Sequence, residues 1–203
     1  NLKKIFLSMK NWDFFIDTGG TFTDCLGREV GGKEVREKVL SRGSLTGKVE
    51  EQLSDYEIKL GDDSDWPNDF PTGFTVLITS IEDISLKVES WNVKSKTLRF
   101  SERLRKVKIT GKTIELFSGW EAPILGMRLI LARVEQKQSD CLIRMRLATT
   151  RCTNALLEDK GQRPVLFLTA GFPDLMEIGD QRRMHLFDLI PRKRKSFAGP
   201  CLE

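Results

Sequence analysis

Histidine is almost missing from this sequence: His185 is the single imidazole among 203 residues, which excludes any site that needs two. Cysteine is scarce as well. Cys25, Cys141, Cys152 and Cys201 are widely spaced with no C-x-x-C pair, which argues against a disulfide framework and against a structural zinc site and fits reduced thiols. No run of eighteen apolar residues occurs, so no membrane span is expected, and the apolar stretch within Asn1 to Ser8 is too short for a signal peptide. The chain is accordingly read as soluble, cytoplasmic and not exported. A large excess of one charge is absent too: 33 basic against 29 acidic residues give +4. That is a mixed, well-solvated surface, not a footprint for nucleic acid. The one concentrated basic run, Arg192-Lys193-Arg194-Lys195 after Pro191, reads as a solvated tail over residues 192–203, with Leu202-Glu203 at its end as a cloning scar.

What is present is enough apolar residue, 39% of the chain, for one good core. A first strand is expected over Trp12 to Ile16. It runs into Asp17-Thr18-Gly19-Gly20 and resumes with alternating character from Thr21 to Leu26, the pattern of a hairpin with a glycine turn. A further strand is expected near Glu34 to Ser41. From Gly43 to Gly119 the pattern changes to short β-rich runs, Gly73 to Ser80, Ile84 to Trp91, Thr97 to Phe100 and Lys112 to Phe117, which predicts an inserted antiparallel meander or small barrel. The acidic stretch from Gly61 to Asp69 lacks the glycine and terminal glutamate of an EF-hand and reads as a solvated loop.

Ser118-Gly119-Trp120-Glu121 fits a capping box ahead of a helix with Ile124, Met127, Ile130, Leu131 and Val134 as its core stripe. A strand with one buried face is expected over Ile143 to Leu147. A helix from Thr153 to Lys160 closed by Gly161, a strand from Val165 to Thr169 and a short helix from Pro173 to Ile178 complete an α/β pattern.

The residues best suited to chemistry are those of Asp17-Thr18-Gly19-Gly20-Thr21-Phe22-Thr23-Asp24. Adjacent glycines let backbone N–H groups approach an anion, threonine hydroxyls add donors, and a carboxylate at the strand end can hold Mg²⁺ through water. A tight hairpin with surface threonines is the plain alternative for Gly-Gly alone; aspartates at both ends make the string far more specific.

This string resembles the first phosphate-binding loop of the actin and sugar-kinase superfamily of ATPases, in the variant found in the hydantoinase A/oxoprolinase family. Thr149-Thr150-Arg151-Cys152-Thr153-Asn154-Ala155-Leu156-Leu157-Glu158-Asp159-Lys160-Gly161 is similar to a second segment of that family. Gly171-Phe172-Pro173-Asp174-Leu175-Met176-Glu177-Ile178-Gly179-Asp180-Gln181-Arg182-Arg183 is similar to a third, and Leu186-Phe187-Asp188-Leu189 continues the likeness.

The resemblance implies an α/β fold of the ribonuclease H-like, actin/hexokinase-type ATPase kind, present here as a half-domain. Its α/β region would comprise residues 1–42 and 118–191, and the inserted β subdomain residues 43–117. It implies ATP and Mg²⁺ as cofactors. Asp17 and Asp24 would be catalytic carboxylates, Asp17 holding the metal through water. Thr18, Gly19, Gly20, Thr21, Thr23, Thr150, Thr153 and Asn154 would lie around the nucleotide, although Asn154 fits a helix cap equally well, and Arg183 would face the substrate. The implied function is the N-terminal portion of an ATP-dependent hydrolase that opens a cyclic amide of the 5-oxoproline or hydantoin type. Its partners would be that ring compound, the rest of the same polypeptide and a hydantoinase B-type subunit, and the portion by itself would be inactive. A small-molecule kinase of the same superfamily and a noncatalytic binding or assembly module are the alternatives.

Overall fold

In the computed structural model, residues 10–78, 85–104, 108–158, 160, 165–172 and 174–178 are described. The chain divides into two compact units, residues 1–151 and 152–203. Within the first, β1 (Lys10–Thr18), β2 (Phe22–Glu29) and β3 (Glu34–Leu40) form an antiparallel meander, and β10 (Cys141–Thr149) lies parallel to β1. The spatial order is therefore β10-β1-β2-β3. Period-two alternation puts Trp12, Phe14 and Ile16 on the buried face, with the rings of Trp12 and Phe14 stacked at 5.8 Å.

That face is covered by α1 (Ala122–Arg133). The helix does not start with the expected capping box. Its N-cap is Glu121, whose side chain makes no capping bond, and Pro123 lies in the first turn, where its missing N–H costs nothing. Ser118 instead accepts the Trp120 N–H at 3.0 Å and donates to the Gly43 carbonyl at 2.8 Å. The expected stripe faces the sheet, with Ile124 and Val134 partly buried beside its buried members, and a second apolar face accompanies it. Met127, Ile130 and Leu131 pack on the sheet with Trp12, Phe14 and Cys25, while Ala122, Leu125 and Leu129 enter a second core. A helix buried on two sides carries apolar residues beyond the one-sided pattern that the sequence reading used. Gly126 marks the closest approach, since a Cβ there would lie 2.1 Å from the Cys25 sulfur.

The second core belongs to six strands: β4 (Ser44–Gln52), β5 (Glu57–Leu60), β6 (Thr75–Ile78), β7 (Ser85–Asn92), β8 (Thr97–Phe100) and β9 (Thr113–Phe117). Their antiparallel pairings run β4-β5-β8-β7-β6-β9 and return to β4, so the sheet closes into a barrel. Closure satisfies the strand edges internally. Val49, Ile58, Leu60, Val76, Trp91, Leu98, Phe100, Ile114 and Leu116 fill it. β6 to β9 lie where the sequence reading put strands. β4 and β5 were not singled out, because glycine and charge interrupt Ser44–Gln52 and Glu57–Leu60 has only four residues.

Two chain passages join barrel and sheet. At the first, Leu40 pairs with Ser44 across a turn in which Gly43 has φ 77° and sits against the Trp120 carbonyl. Arg133 at the end of α1 also ties the two parts, bonding Glu37 of β3 and, at 3.0 Å, Asp65 of the β5–β6 loop.

The second unit contains most of α2 (Arg151–Leu157) and α3 (Leu175–Ile178). The strand expected over Val165 to Thr169 is replaced by one bridging residue, Phe167, which is 81% exposed. With no buried face to pay for ordering it, an apolar run does not form a regular strand. Gly161, His185 and residues 192–203 lie outside the described residues.

Candidate functional site

The hairpin between β1 and β2 sets the site. Register pairs Asp17 with Asp24 and Thr18 with Thr23. Paired residues share a sheet face, so both carboxylates stand exposed on the face opposite α1, whereas Thr18 and Thr23 are buried towards it. Facing Cβ atoms in such a pair lie about 4.5–5.5 Å apart, and like charges in that position repel. Lys38, opposite Asp24 on β3, offsets this with an amine 3.4 Å from the Asp24 carboxylate. Asp17 has no hydrogen-bond or ion-pair partner for its carboxylate among the described residues.

The loop itself is held from three directions. Gly19 donates its N–H to the Phe22 carbonyl at 2.9 Å, and a Cβ on Gly19 would approach that oxygen to 3.0 Å. Ser41, at the end of β3, donates its hydroxyl to the Gly19 carbonyl at 2.9 Å and its N–H to the Thr21 carbonyl at 2.9 Å. One hydroxyl has one proton, so Thr23 is the donor in the 3.0 Å bond between the Thr23 and Ser41 oxygens. From the other side the Thr149 hydroxyl and the Thr150 N–H both reach the Thr18 carbonyl at 3.2 Å. The amides of Gly20 and Thr21 donate to no acceptor among the described residues. Backbone N–H groups left without an internal acceptor in a fixed glycine turn are the kind that can hold an anion.

The structure thus brings together Asp17, Thr18, Gly19, Gly20, Thr21, Thr23, Asp24 and Thr150. Thr153 and Asn154 belong to the second unit. Asn154 is no cap there, being the fourth residue of α2 with its carbonyl accepting the Glu158 N–H at 2.9 Å. Arg183 lies outside the described residues. Ser41 was missed by the sequence reading. Its only signal was its position at the end of an expected strand, and the clamp depends on pairing across 22 residues.

On the carboxylate face, Phe15 and Leu26 floor a shallow groove of about 550 Å³, with Asp17 and Asp24 at one end and Arg36 and Arg146 beside it. The Arg146 guanidinium lies 5.0 Å from the centre of the Phe15 ring and 3.2 Å from Asp13. Cys25, on the opposite face, is no nucleophile: burial first, then the charges of Asp24 and Glu37, push its thiol up to about 12. No group of three or more His, Cys, Asp or Glu able to hold a metal occurs among the described residues. Two carboxylates make too thin a set for a dedicated cage, but they suit Mg²⁺, which keeps its waters and shares phosphate oxygens. No helix among the described residues is long and apolar enough to cross a membrane.

Fold and site together define a mixed α/β chain dominated by one large sheet, with a clamped glycine hairpin at the end of its parallel strand pair. Residues 101–199 match the family model described as the hydantoinase/oxoprolinase N-terminal region. The chain is 42% identical to 5-oxoprolinase 1 of Arabidopsis thaliana over 91 residues, 41% of this chain and 7% of that protein. It is 40% identical to 5-oxoprolinase of Dictyostelium discoideum over 76 residues, covering 34% and 6%, and 36% identical to 5-oxoprolinase of Saccharomyces cerevisiae over 81 residues, covering 36% and 6%. No solved structure matches. The likeness to a hydantoinase/oxoprolinase N-terminal region covers residues 101–199, and the aligned part spans only 6–7% of the length of these relatives.

Proposed function

We propose that this chain supplies the first phosphate-binding loop of an ATP-dependent hydrolase that opens a cyclic amide of the 5-oxoproline or hydantoin type. The observation that carries the reading is the clamped hairpin: Asp17 and Asp24 face each other across its base, and the Gly20 and Thr21 amides have no internal acceptor among the described residues. The order β10-β1-β2-β3, with β10 parallel to β1 and α1 on one face, supports a ribonuclease H-like half of the actin/hexokinase kind. Relatives named 5-oxoprolinase support the cyclic-amide substrate.

ATP would supply phosphorylation of the ring's amide oxygen, which makes the carbonyl carbon a better electrophile. The chain's own part is positioning and charge. The Gly20 and Thr21 amides would donate to phosphate oxygens, and Ser41 and Thr149 keep the loop from yielding as they do so. Asp17, which has no competing cation partner among the described residues, would hold Mg²⁺ through water, with Asp24 beside it partly neutralised by Lys38. Thr150 would complete the rim from the end of β10. The other side of the cleft would come from the rest of the same polypeptide.

In the full-length polypeptide, Asp17→Asn should lower ATP turnover by about 100-fold or more while leaving the melting temperature nearly unchanged, since an exposed charge is removed and no packing is lost. Equal turnover by the asparagine enzyme removes Asp17 from the mechanism. Phosphate transferred to a hydroxyl with no ring opened would point to a kinase.

A further inference from the structure

We propose that Arg42 reads an oxyanion, phosphoryl or carboxylate, in the cleft on the α1 side of the glycine hairpin, its guanidinium aimed by a buried glutamate of the barrel. The proposal rests on the hairpin being a nucleotide-binding element and adds a residue that the hairpin motif does not contain.

The cleft measures about 540 Å³ and is bounded by Thr18, Thr149, Ser41, Arg42 and the start of α1 at Trp120 to Pro123. Thr18 and Thr149 end the parallel strands β1 and β10, and the crevice outside the carboxyl ends of parallel strands is where α/β sheets take their ligands. Arg42 is the one cation among the described residues lining it, and Glu121 the one carboxylate.

Arg42 stands in the β3–β4 turn, next in sequence to the Ser41 that clamps the hairpin. One terminal nitrogen of its guanidinium donates to Glu115 at 2.7 Å. Glu115 lies on β9 opposite Thr46 of β4 and is only 8% exposed, with its other oxygen accepting from Ser44. Glu115 alternates with Ile114 and Leu116, which fill the barrel, so its carboxylate is buried on the outer face of β9. A buried charge persists only when paired, and both oxygens here have partners.

The remaining nitrogens of Arg42 have no partner among the described residues, and its side chain is 67% exposed. A planar fork fixed at one arm and open at the other is preorganised for an oxyanion. An ordinary surface ion pair would need no such fork and would accept lysine equally.

The test uses the full-length protein and its Arg42→Lys and Arg42→Gln variants, titrated by calorimetry with Mg-ADP, inorganic phosphate and 5-oxoproline, with thermal unfolding run beside each. Arg42→Lys keeps the pair with Glu115, so its melting temperature should stay close to that of the wild type while one ligand class weakens by about tenfold or more. Loss confined to Mg-ADP and phosphate assigns a phosphoryl group, and loss confined to 5-oxoproline assigns a carboxylate. Unchanged affinity of the lysine variant for all three overturns the proposal, as does weakening that only accompanies a fall in melting temperature. Should Arg42→Gln fail to fold, the lysine variant decides alone. If the wild type takes up no Mg-ADP, the hairpin reading fails, and Arg42 is then judged on phosphate and 5-oxoproline. A wild type that binds none of the three ends both readings.

Discussion

The barrel of β4 to β9 and the sheet of β10, β1, β2 and β3 solve the same packing problem differently. In the barrel every strand has two partners, and the inward side chains, from Val49 to Leu116, are almost wholly removed from water. In the sheet only the face towards α1 is sealed. On the other, Phe15 remains 37% exposed among charged neighbours, although parallel pairs such as β1 and β10 ordinarily have both faces covered. The contrast separates a self-sufficient scaffold from a surface that still has polar and ionic groups to spend on a ligand. It also explains why the clamped hairpin sits on the sheet and borrows its rigidity, through Arg42, Gly43 and Ser118, from the barrel.

The sharpest way to break that contrast is to delete one aromatic from each part. Trp91 is buried in the barrel, packs against Trp66 at 5.3 Å between ring centres, and donates its indole N–H to the Trp66 carbonyl at 2.9 Å. Trp91→Ala should cost about 3–5 kcal/mol, whereas Phe15→Ala, which loses a half-solvated ring and its guanidinium contacts, should cost about 1 kcal/mol or less. Denaturant titration of both variants checks this, and equal losses would show that the sheet face is as closed as the barrel.

Next in size is the seam between α1 and the sheet. Gly126→Ala places a methyl against the Cys25 sulfur, and the strain should outweigh the gain in helix propensity, for a net loss of about 1–3 kcal/mol. Combining it with Cys25→Ala should recover most of that loss, a coupling that a double-mutant cycle reads directly. Additive losses would mean that the contact is not where the strain lies.

A smaller effect on stability is expected at the hairpin. Ser41→Ala removes two side-chain bonds and should cost about 1–2 kcal/mol in denaturant titration. Its larger effect should be on ATP turnover by the full-length polypeptide. A variant that turns over ATP normally would detach the clamp from the chemistry.

The smallest effect concerns the tie between barrel and sheet. The hydrogen bond from Arg133 is the main cause holding the Asp65 carboxyl below its ordinary value, while partial burial opposes it. A folded-state value below the unfolded one adds stability that is complete above the unfolded value of about 3.9 and is lost as pH falls through the folded one. Thermal melts should therefore show a shallow decline below about pH 4, flattened in Arg133→Met, and modest because Asp65 is largely exposed. An unflattened decline would assign the slope to other carboxylates.

The amino-acid sequence by itself determined the elements whose signal is local. The short apolar run of Trp12 to Ile16 and the alternation from Thr21 to Leu26 marked β1 and β2, the Gly19-Gly20 turn marked the hairpin, and the helical spacing of Ile124, Met127, Ile130, Leu131 and Val134 marked α1. It also carried the chemistry-bearing string Asp17 to Asp24 and, within residues 101–199, the stretch that matches the hydantoinase/oxoprolinase model. Four matters were left to the tertiary structure. The ring of six strands closes through β4 and β9, some 70 residues apart in sequence. The second buried face of α1 exists because that barrel packs on it. Ser41 clamps Gly19 across 22 residues, and Glu115 orients Arg42 across 73. The reason is the same in each case: periods of 2 and 3.6 residues are written in neighbouring positions, whereas register, closure and a shared hydrogen bond arise only once distant strands are laid side by side.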